Sequence, residues 1–308
     1  MATQAGRTIF EDYSVRPEVA RYRRYQRSLT NFIRQKPLGA VCGGMVILLI
    51  IMAIWPDLFA THGVNEREGI SSQYRLQSPT SDHWFGTDNL GRDLYSRIVY
   101  GARTSIVIGF GVVAVATGVA MLIGLLSGYI GGWFDSLFQR FIDIGIALPG
   151  MIFIILVVNS LQQIPLVPRI IISLGAIIAL SSSRVVRGAT IAAKQNVYVE
   201  AARVLGATDL RIMIRHVLPN LFAIVIVSAS IQIGGAILIE AALSFLGYGI
   251  QPPTPSWGFM VNEAREFLGR APHMAIFPGL AIFVVVYAFN MFGDALRDVL
   301  DPRLRGSR

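Results

Sequence analysis

The stretch from Val197 to Asn220 carries the most informative pattern in this chain, and its chemistry is that of binding. Apolar side chains recur there at i, i+4, i+7 and i+8 of a predicted helix: Val197, Ala201, Val204 and Leu205. Glu200 and Arg203 fall on the opposite face of that helix. Because an apolar stripe gains nothing from contact with water, we expect it to bind in a groove on a partner protein.

Signals for the end of a helix follow this stripe directly. Gly206 suits the left-handed position after a helix, because a residue without a side chain adopts positive φ at little cost. Thr208 or Asp209 can then cap a second helix. The sequence therefore predicts a short helix, a stop and a second helix within this stretch.

Ionisable groups in two other segments are candidates for contact with a solute. The GTDNLGRD stretch supplies Asp88, Arg92 and Asp93, and Arg97 follows it in the same segment. Asp88 and Arg92 are candidates for a pathway or gate, but a salt-bridged turn that leads into the following span is the favoured interpretation. Glu240 lies in a long apolar segment, where a carboxylate is costly unless it is paired or hydrated. We favour a structural or gating contact for Glu240 over a role as a ligand for the solute.

Several catalytic and binding classes are disfavoured by the residue pattern. The histidines fall in different segments without metal-ligand spacing: His62, His83, His216 and His273. The sequence contains no GxxxxGK[ST] phosphate loop, so the chain lacks the cradle that ATP binding requires. The single cysteine, Cys42, excludes an internal disulfide. We therefore expect no catalytic residue, no bound cofactor or metal and no nucleic-acid partner, since the basic residues lie beside apolar spans.

These segments need a membrane to position them. Of 308 residues, 53% are hydrophobic and 15% are charged, and several uncharged windows reach the length that crosses about 30 Å of hydrocarbon as a helix. We predict an all-α integral membrane protein with six transmembrane helices. The spans cover about residues 38–55, 104–134, 144–160, 170–183, 221–246 and 274–293.

Three of these spans carry irregular features. In the second, a glycine recurs every fourth residue and forms one face for close helix contact: Gly124, Gly128 and Gly132. Pro149 is expected to kink the third span, because proline removes one N–H and its ring clashes with the preceding turn. The fourth span is short before Arg184 and Arg187, whose side chains must then reach an interface or a polar cavity.

The distribution of positive charge predicts the orientation. Nineteen Lys and Arg residues fall on one side of the six-span scheme and eight on the other. The richer side faces the cytoplasm by the positive-inside rule, which makes both termini cytoplasmic. The chain then divides into a tail (1–37), a spanning domain (38–298) and a second tail (299–308), with a cytoplasmic loop at 184–220 and outer loops at 60–103 and 247–275.

The run EAARVLGATDLRIMIRHVLPN, residues 200–220, resembles the EAA signature of ABC importer permeases, the loop that docks into the ATPase subunit. Two more stretches, HWFGTDNLGRDLYSRIVYGAR at 83–103 and ALSFLGYGIQPPTPSWG at 242–258, are similar to the dipeptide, oligopeptide and nickel importers. With GDALRDVLDPRL at 293–304, they indicate the second of the two permeases in such systems. The resemblance covers about residue 38 to the carboxyl end.

This resemblance implies the type I ABC importer permease fold in a bacterial or archaeal cytoplasmic membrane. The implied partners are a homologous second permease, two ABC ATPase subunits that use ATP and Mg²⁺, and an extracytoplasmic solute-binding protein. The chain itself would form half of the translocation pathway. The resemblance also implies an ATPase-coupling helix that comprises Val197, Tyr198, Glu200, Ala201, Ala202, Val204, Leu205, Gly206 and Ala207, supported by His216, Pro219 and Asn220.

Peptides are the cargo that the resemblance favours, and nickel chelates or oligosaccharides stay open as alternatives. A secondary transporter is disfavoured because the sequence shows no inverted repeat with intramembrane charges. An intramembrane hydrolase is disfavoured because no histidine is predicted at the membrane depth of Ser181, Ser182 and Ser183.

Overall fold

A computed structural model describes residues 33–34, 36–66 and 74–300 of the chain. Most of the two predicted tails, 1–37 and 299–308, lies outside the described residues. The helices are α1 Pro37–Ile54, α2 Leu94–Ile130, α3 Gly132–Ala147, α4 Gly150–Ser160, α5 Leu166–Lys194, α6 Val197–Val204, α7 Asp209–Ile212, α8 Leu218–Phe245, α9 Trp257–Ala264 and α10 His273–Leu300. A π-helical turn, Met213–Val217, joins α7 to α8.

The predicted all-helical membrane architecture is confirmed for the described residues. Five helical segments are long and apolar enough to cross a membrane, and the bent pair α3–α4 makes up to six. Apart from one isolated bridge between Thr87 and Asp93, regular structure in the described part of the chain is helical. Many large apolar side chains point away from the bundle, as a chain surrounded by lipid requires.

The second span begins earlier and ends earlier than predicted. Asp93 caps α2 by accepting a hydrogen bond from the Ser96 N–H at 2.7 Å, so the helix starts at Leu94. It stops at Gly131, where φ is 72°, and Gly132 follows with φ 61°. The prediction that Gly132 belongs to the glycine face of the second span is therefore wrong, because these two left-handed residues turn the chain into α3.

Gly124 and Gly128 do bring α2 against α5. A Cβ atom added at Gly124 would lie 2.7 Å from the Ser183 carbonyl oxygen, and one at Gly128 would lie 2.8 Å from the Arg187 carbonyl oxygen. Similar close contacts join Gly111 with Ile171 and Gly175 with Val115. Because the residue numbers on both helices rise together, α2 and α5 are parallel.

The third span is broken rather than kinked. The axes of α3 and α4 differ by 98°. Pro149 forces the preceding Leu148 into an extended conformation, with φ −77° and ψ 138°, and the helix cannot continue through it. The predicted kink at Pro149 therefore understates the change, since α4 alone has 11 residues and is only about 16 Å long.

The bent pair nevertheless returns the chain across the bundle. Contacts between α3–α4 and α5 run in reverse sequence order: Asp135 with Arg187, Gly145 with Leu180, Gly150 with Ile177, and Val158 with Arg169. Since α2 and α5 are parallel, the segment between them has to cover the same depth in the opposite direction. The geometry thus supports six crossings.

The fourth span is longer than predicted, and its arginines have acidic partners. Residues 166–194 form one helix, so Arg184 and Arg187 lie within it. Arg187 Nε donates to Asp135 Oδ1 at 2.6 Å, and Arg184 pairs with Asp143. α3 therefore supplies a carboxylate for each of these arginines, and the expectation that their side chains reach an interface or a polar cavity stays a prediction.

The segments that connect the helices lie at the two ends of the bundle. One end, which we call the loop end, contains α6, α7 and the π-helical turn. The first and last described helices also meet at this end, where Lys36 Nζ lies 2.5 Å from Asp298 Oδ2. The opposite end, which we call the far end, contains residues 57–66 and 74–93 and the α8–α10 connection with α9.

Candidate functional site

Helix α6 at the loop end buries one face and exposes the other. Val199 and Ala202 are 0% and 9% exposed and pack in an apolar cluster with Ile212, Val217 and Leu221. Val204 and Leu205 are each 87% exposed. With their exposed apolar neighbours they form a surface that we call the exposed patch: Val197, Tyr198, Ala201, Val204, Leu205, Leu210 and Ile214. The predicted stripe is therefore present and uncovered by the described residues.

The predicted stop after α6 is confirmed. Gly206 has φ 81°, and the Ala207 N–H donates to the Ala202 carbonyl oxygen at 3.0 Å, which closes the helix end. Thr208 Oγ1 then accepts a hydrogen bond from the Arg211 N–H at 3.4 Å and caps α7. Half-buried Ala207 packs beside the apolar cluster under α6, while Glu200 is exposed. The loop is thus a defined structure rather than a loose connection.

The predicted support residues hold α6 to the start of α8. Asn220 Nδ2 donates to the Tyr198 hydroxyl at 3.1 Å and to the His216 carbonyl oxygen at 2.6 Å. Pro219 occupies the first turn of α8, where its missing N–H costs no hydrogen bond. Tyr198, His216 and Asn220 are therefore brought together, and Asn220 joins α6 to the start of α8.

A second attachment, which sequence reasoning missed, joins the loop to α2 and α5. The buried Tyr129 hydroxyl donates to Asp209 Oδ1 at 2.6 Å. Lys194 Nζ donates to the Tyr129 carbonyl oxygen at 2.5 Å and lies 5.0 Å from the centre of its ring. We call Tyr129, Lys194 and Asp209 the tether. The pattern offered no signal for it, since its three members come from distant parts of the sequence.

Residues 120–306 match the family of inner membrane components of binding-protein-dependent transport systems. The chain belongs to this family. It is therefore a permease subunit of an ABC importer and a multi-pass inner membrane protein, as the sequence predicted.

Relatives of known name extend the similarity over almost the whole permease. The glutathione transport system permease protein GsiD of Pectobacterium atrosepticum is 40% identical over 298 residues, which cover 96% of this chain and 95% of the relative. The proteins of the same name from Escherichia coli O6:K15:H31 and Shigella boydii serotype 4 are each 41% identical over 274 residues, 89% of this chain and 89% of each relative. The family is a transport component that works with ATPase and binding-protein partners.

At the far end, the permease buries the charged residues of the GTDNLGRD stretch. Arg92 Nε donates to Asp88 Oδ2 at 2.6 Å, and Arg97 Nε lies 3.6 Å from the same oxygen. Arg92 Nη2 lies 3.7 Å from Glu263 Oε1. Burial raises the pKa of Glu263, and the two guanidinium groups oppose that rise. These four residues, Asp88, Arg92, Arg97 and Glu263, form what we call the ion cluster, and a pathway role for Asp88 and Arg92 stays a prediction.

Glu240 lies where α8 meets the far-end connection. It is 1% exposed, and its Oε1 accepts hydrogen bonds from Ser244 Oγ at 2.7 Å and Ser256 Oγ at 3.2 Å. Ser244 Oγ in turn accepts from the Ile250 N–H at 3.0 Å. Glu240 therefore joins α8 to the segment before α9, and its predicted gating role stays a prediction.

Two of the four histidines meet, although the sequence places them in separate segments. His83 Nδ1 lies 2.8 Å from Asp93 Oδ1, and the rings of His62 and His83 are 4.9 Å apart. These three residues lie close enough for one metal ion, so the expectation that the histidines are scattered is wrong for this pair. Asp93 is also the cap of α2, and it ties the far-end loop to that helix.

Proposed function

We propose that this permease carries small peptides inward and that its exposed patch docks on an ATPase subunit. The relatives are named for glutathione, which is a small peptide, and their similarity covers the spans as well as the loop. This similarity supports peptides over nickel chelates or oligosaccharides as the cargo. The remaining elements of the proposal are a homologous second permease, two ATPase subunits and a solute-binding protein at the far end.

The exposed patch is the observation that carries the docking proposal. Val204 and Leu205 are 87% exposed, at the end of a helix that is anchored by its buried residues Val199 and Ala202. Covering an aliphatic side chain of this size is worth about 1.5–3 kcal/mol, so leaving several exposed is costly unless a partner covers them. A short helix that presents apolar side chains from one face fits a groove on another protein.

The attachments of α6 supply the route by which docking acts on the spans. Asn220 links α6 to α8, and the tether links α7 to α2 and α5. In this proposal, ATP and Mg²⁺ are bound by the ATPase subunits, and closure of those subunits moves α6. Because both attachments are direct hydrogen bonds, the movement reaches three spans at once and alternates access to the pathway.

A charge placed in the exposed patch tests the docking. Leu205→Asp and Ala201→Asp each introduce a carboxylate at an exposed position, so the spans should insert normally. We expect the ATPase subunits to be lost in pull-down from detergent-solubilised membranes, or uptake to be uncoupled from ATP hydrolysis. Gln195→Asp adds the same charge in the same loop outside the exposed patch. It should retain the ATPase subunits and the coupling of uptake to ATP hydrolysis. Wild-type uptake by both patch variants would remove the coupling role.

The proposed orientation is tested separately. The loop end should face the cytoplasm, since nineteen of the chain's Lys and Arg residues belong to that side. In a Cys42→Ser background, a cysteine at Pro253 should react with an impermeant thiol reagent in intact cells, and one at Gln195 should not. Both positions are exposed in the structure. Reaction at position 195 and not at position 253 would show that the loop end faces the outside of the cell.

A further inference from the structure

A large, open cavity lies along the membrane-spanning helices of the permease. It occupies about 590 Å³ between α4, α5 and α8. Its walls are mostly aliphatic, with Ile154, Ile177 and Ile239 among the lining residues. Such a volume accommodates a small ligand, since ligand pockets in proteins measure roughly 300–1,000 Å³.

Three uncharged polar side chains interrupt the apolar wall of this cavity. They are Ser181, Ser182 and Gln232. Gln232 stands near the middle of the 28-residue α8, and Ser182 near the middle of the 29-residue α5. Ser182 Oγ donates to the Ile178 carbonyl oxygen at 2.8 Å and lies 3.3 Å from Gln232 Oε1. Because an amide in hydrocarbon is costly, its position facing a cavity calls for a functional explanation.

The Ser182–Gln232 pair also stands between two cavities. A second cavity of about 30 Å³ lies nearer the loop end and includes Thr117 and Ser228 in its lining. Both cavities share Ser182, Val185 and Gln232. The pair thus lines both the large cavity and the small one, and it stands at the boundary between them.

The break between α3 and α4 borders the same cavity. Gly150, the first residue of α4, lines it, and a Cβ atom added there would approach Ile177 Cδ1 to 3.5 Å. The bare backbone at the 98° bend therefore forms part of the wall. Interrupted helices near the membrane midplane commonly border substrate sites in transporters.

We propose that this cavity is the section of the translocation pathway contributed by this chain, and that Gln232 and Ser182 bind main-chain amide groups of the passing peptide. A carboxamide and a hydroxyl each donate and accept, as a peptide group does, and neither carries a charge that would select one side chain. Binding of this kind would suit peptides of different sequence, because it contacts only the main chain that they share. The inference rests on the proposed peptide cargo.

Accessibility of the pair tests the pathway without reference to cargo. In a Cys42→Ser background, Ser182→Cys should react with a small water-soluble methanethiosulfonate in the assembled complex, in at least one of the ATP-free and vanadate-trapped states. Ser173→Cys is the matched control, since Ser173 lies on the same helix and is 0% exposed. No reaction of Ser182→Cys in either state would overturn the proposal.

Uptake into proteoliposomes that contain the complete importer tests the role of the pair. We expect Gln232→Leu and Ser182→Ala to lower the uptake of radiolabelled glutathione about tenfold or less, with the larger loss for Gln232→Leu, while the binding-protein stimulation of ATP hydrolysis persists. Ser173→Ala should transport normally. Wild-type uptake by both pair variants would overturn the amide-binding role. An unmodified importer that carries no peptide would instead overturn the proposed cargo and this inference with it.

Discussion

The two ends of this permease differ in which side chains they bury. The far end buries charged side chains, and the loop end exposes apolar ones. At the far end, Asp88, Arg92 and Arg97 are charged, yet each is less than 5% exposed because they pair with one another and with Glu263. At the loop end, Val204 and Leu205 are apolar and almost fully exposed. The far end thus pairs its buried charges with one another, whereas the loop end leaves an apolar surface that another polypeptide can cover.

This contrast indicates which end a substitution should damage and how. A change in the ion cluster should destabilise the permease by itself, because buried charges depend on their partners. A change in the exposed patch should leave the permease stable and weaken only its assembly. Three substitutions test this difference between the two ends, and they are given in order of decreasing expected effect on stability.

The largest loss of stability is expected from Asp88→Asn. It removes the carboxylate that faces both Arg92 and Arg97 and leaves two buried guanidinium groups with Glu263 as their acidic partner. Breaking a buried ion pair costs about 3–5 kcal/mol. Thermal unfolding of the purified permease in detergent should show a clear fall in melting temperature. Asp82→Asn removes the same charge at an exposed position nearby and should leave the melting temperature unchanged.

An intermediate loss is expected from Tyr129→Phe. The substitution keeps the ring over which Lys194 lies and removes only the hydroxyl that donates to Asp209. One hydrogen bond contributes about 1 kcal/mol to stability, and slightly more when its acceptor is charged. We expect a small fall in melting temperature together with a lower ratio of uptake to ATP hydrolysis.

Tyr287→Phe provides the control for the tether, since Tyr287 is a half-exposed tyrosine on α10 away from the loop end. It should preserve both the melting temperature and the ratio of uptake to hydrolysis. If Tyr129→Phe also preserves both, the tether is not a route from the loop to the spans.

The smallest change in stability is expected from Val204→Ser. This side chain is 87% exposed, and exposed substitutions usually alter stability by less than about 0.5 kcal/mol. Val199→Ser makes the same exchange on the buried face of the same helix, where the new hydroxyl would enter an apolar cluster. Only Val199→Ser should lower the melting temperature. Equal effects of the two would mean that α6 has no exposed face in the isolated permease.

The parts of the structure that the sequence predicted well are those determined by local spacing. The stripe of α6 and the left-handed Gly206 depend on neighbours within two helical turns, and both were found where expected. The long apolar spans were equally visible, because the hydrocarbon thickness sets their length. The EAA run added a resemblance that local geometry alone would not have supplied.

What the sequence could not show depends on contacts between distant residues. Arg187 looked stranded near the end of a short span until α3 supplied Asp135. Tyr129 looked like an ordinary residue at the end of a span until Asp209 came within hydrogen-bonding distance. Pro149 indicated an irregular helix, but the angle between α3 and α4 depends on how these two helices pack along α5.

The parallel contact of α2 and α5 has a mechanical consequence. Glycines remove the side chains between the two backbones from about Gly111 to Gly128, so the helices touch over several turns. Two helices in such contact resist bending far better than one, and they respond to a push as a single stiff rod. Tyr129 and Lys194 stand at the same end of that rod, and the loop is fastened there. A force applied to the loop would therefore move α2 and α5 together rather than bend one of them alone.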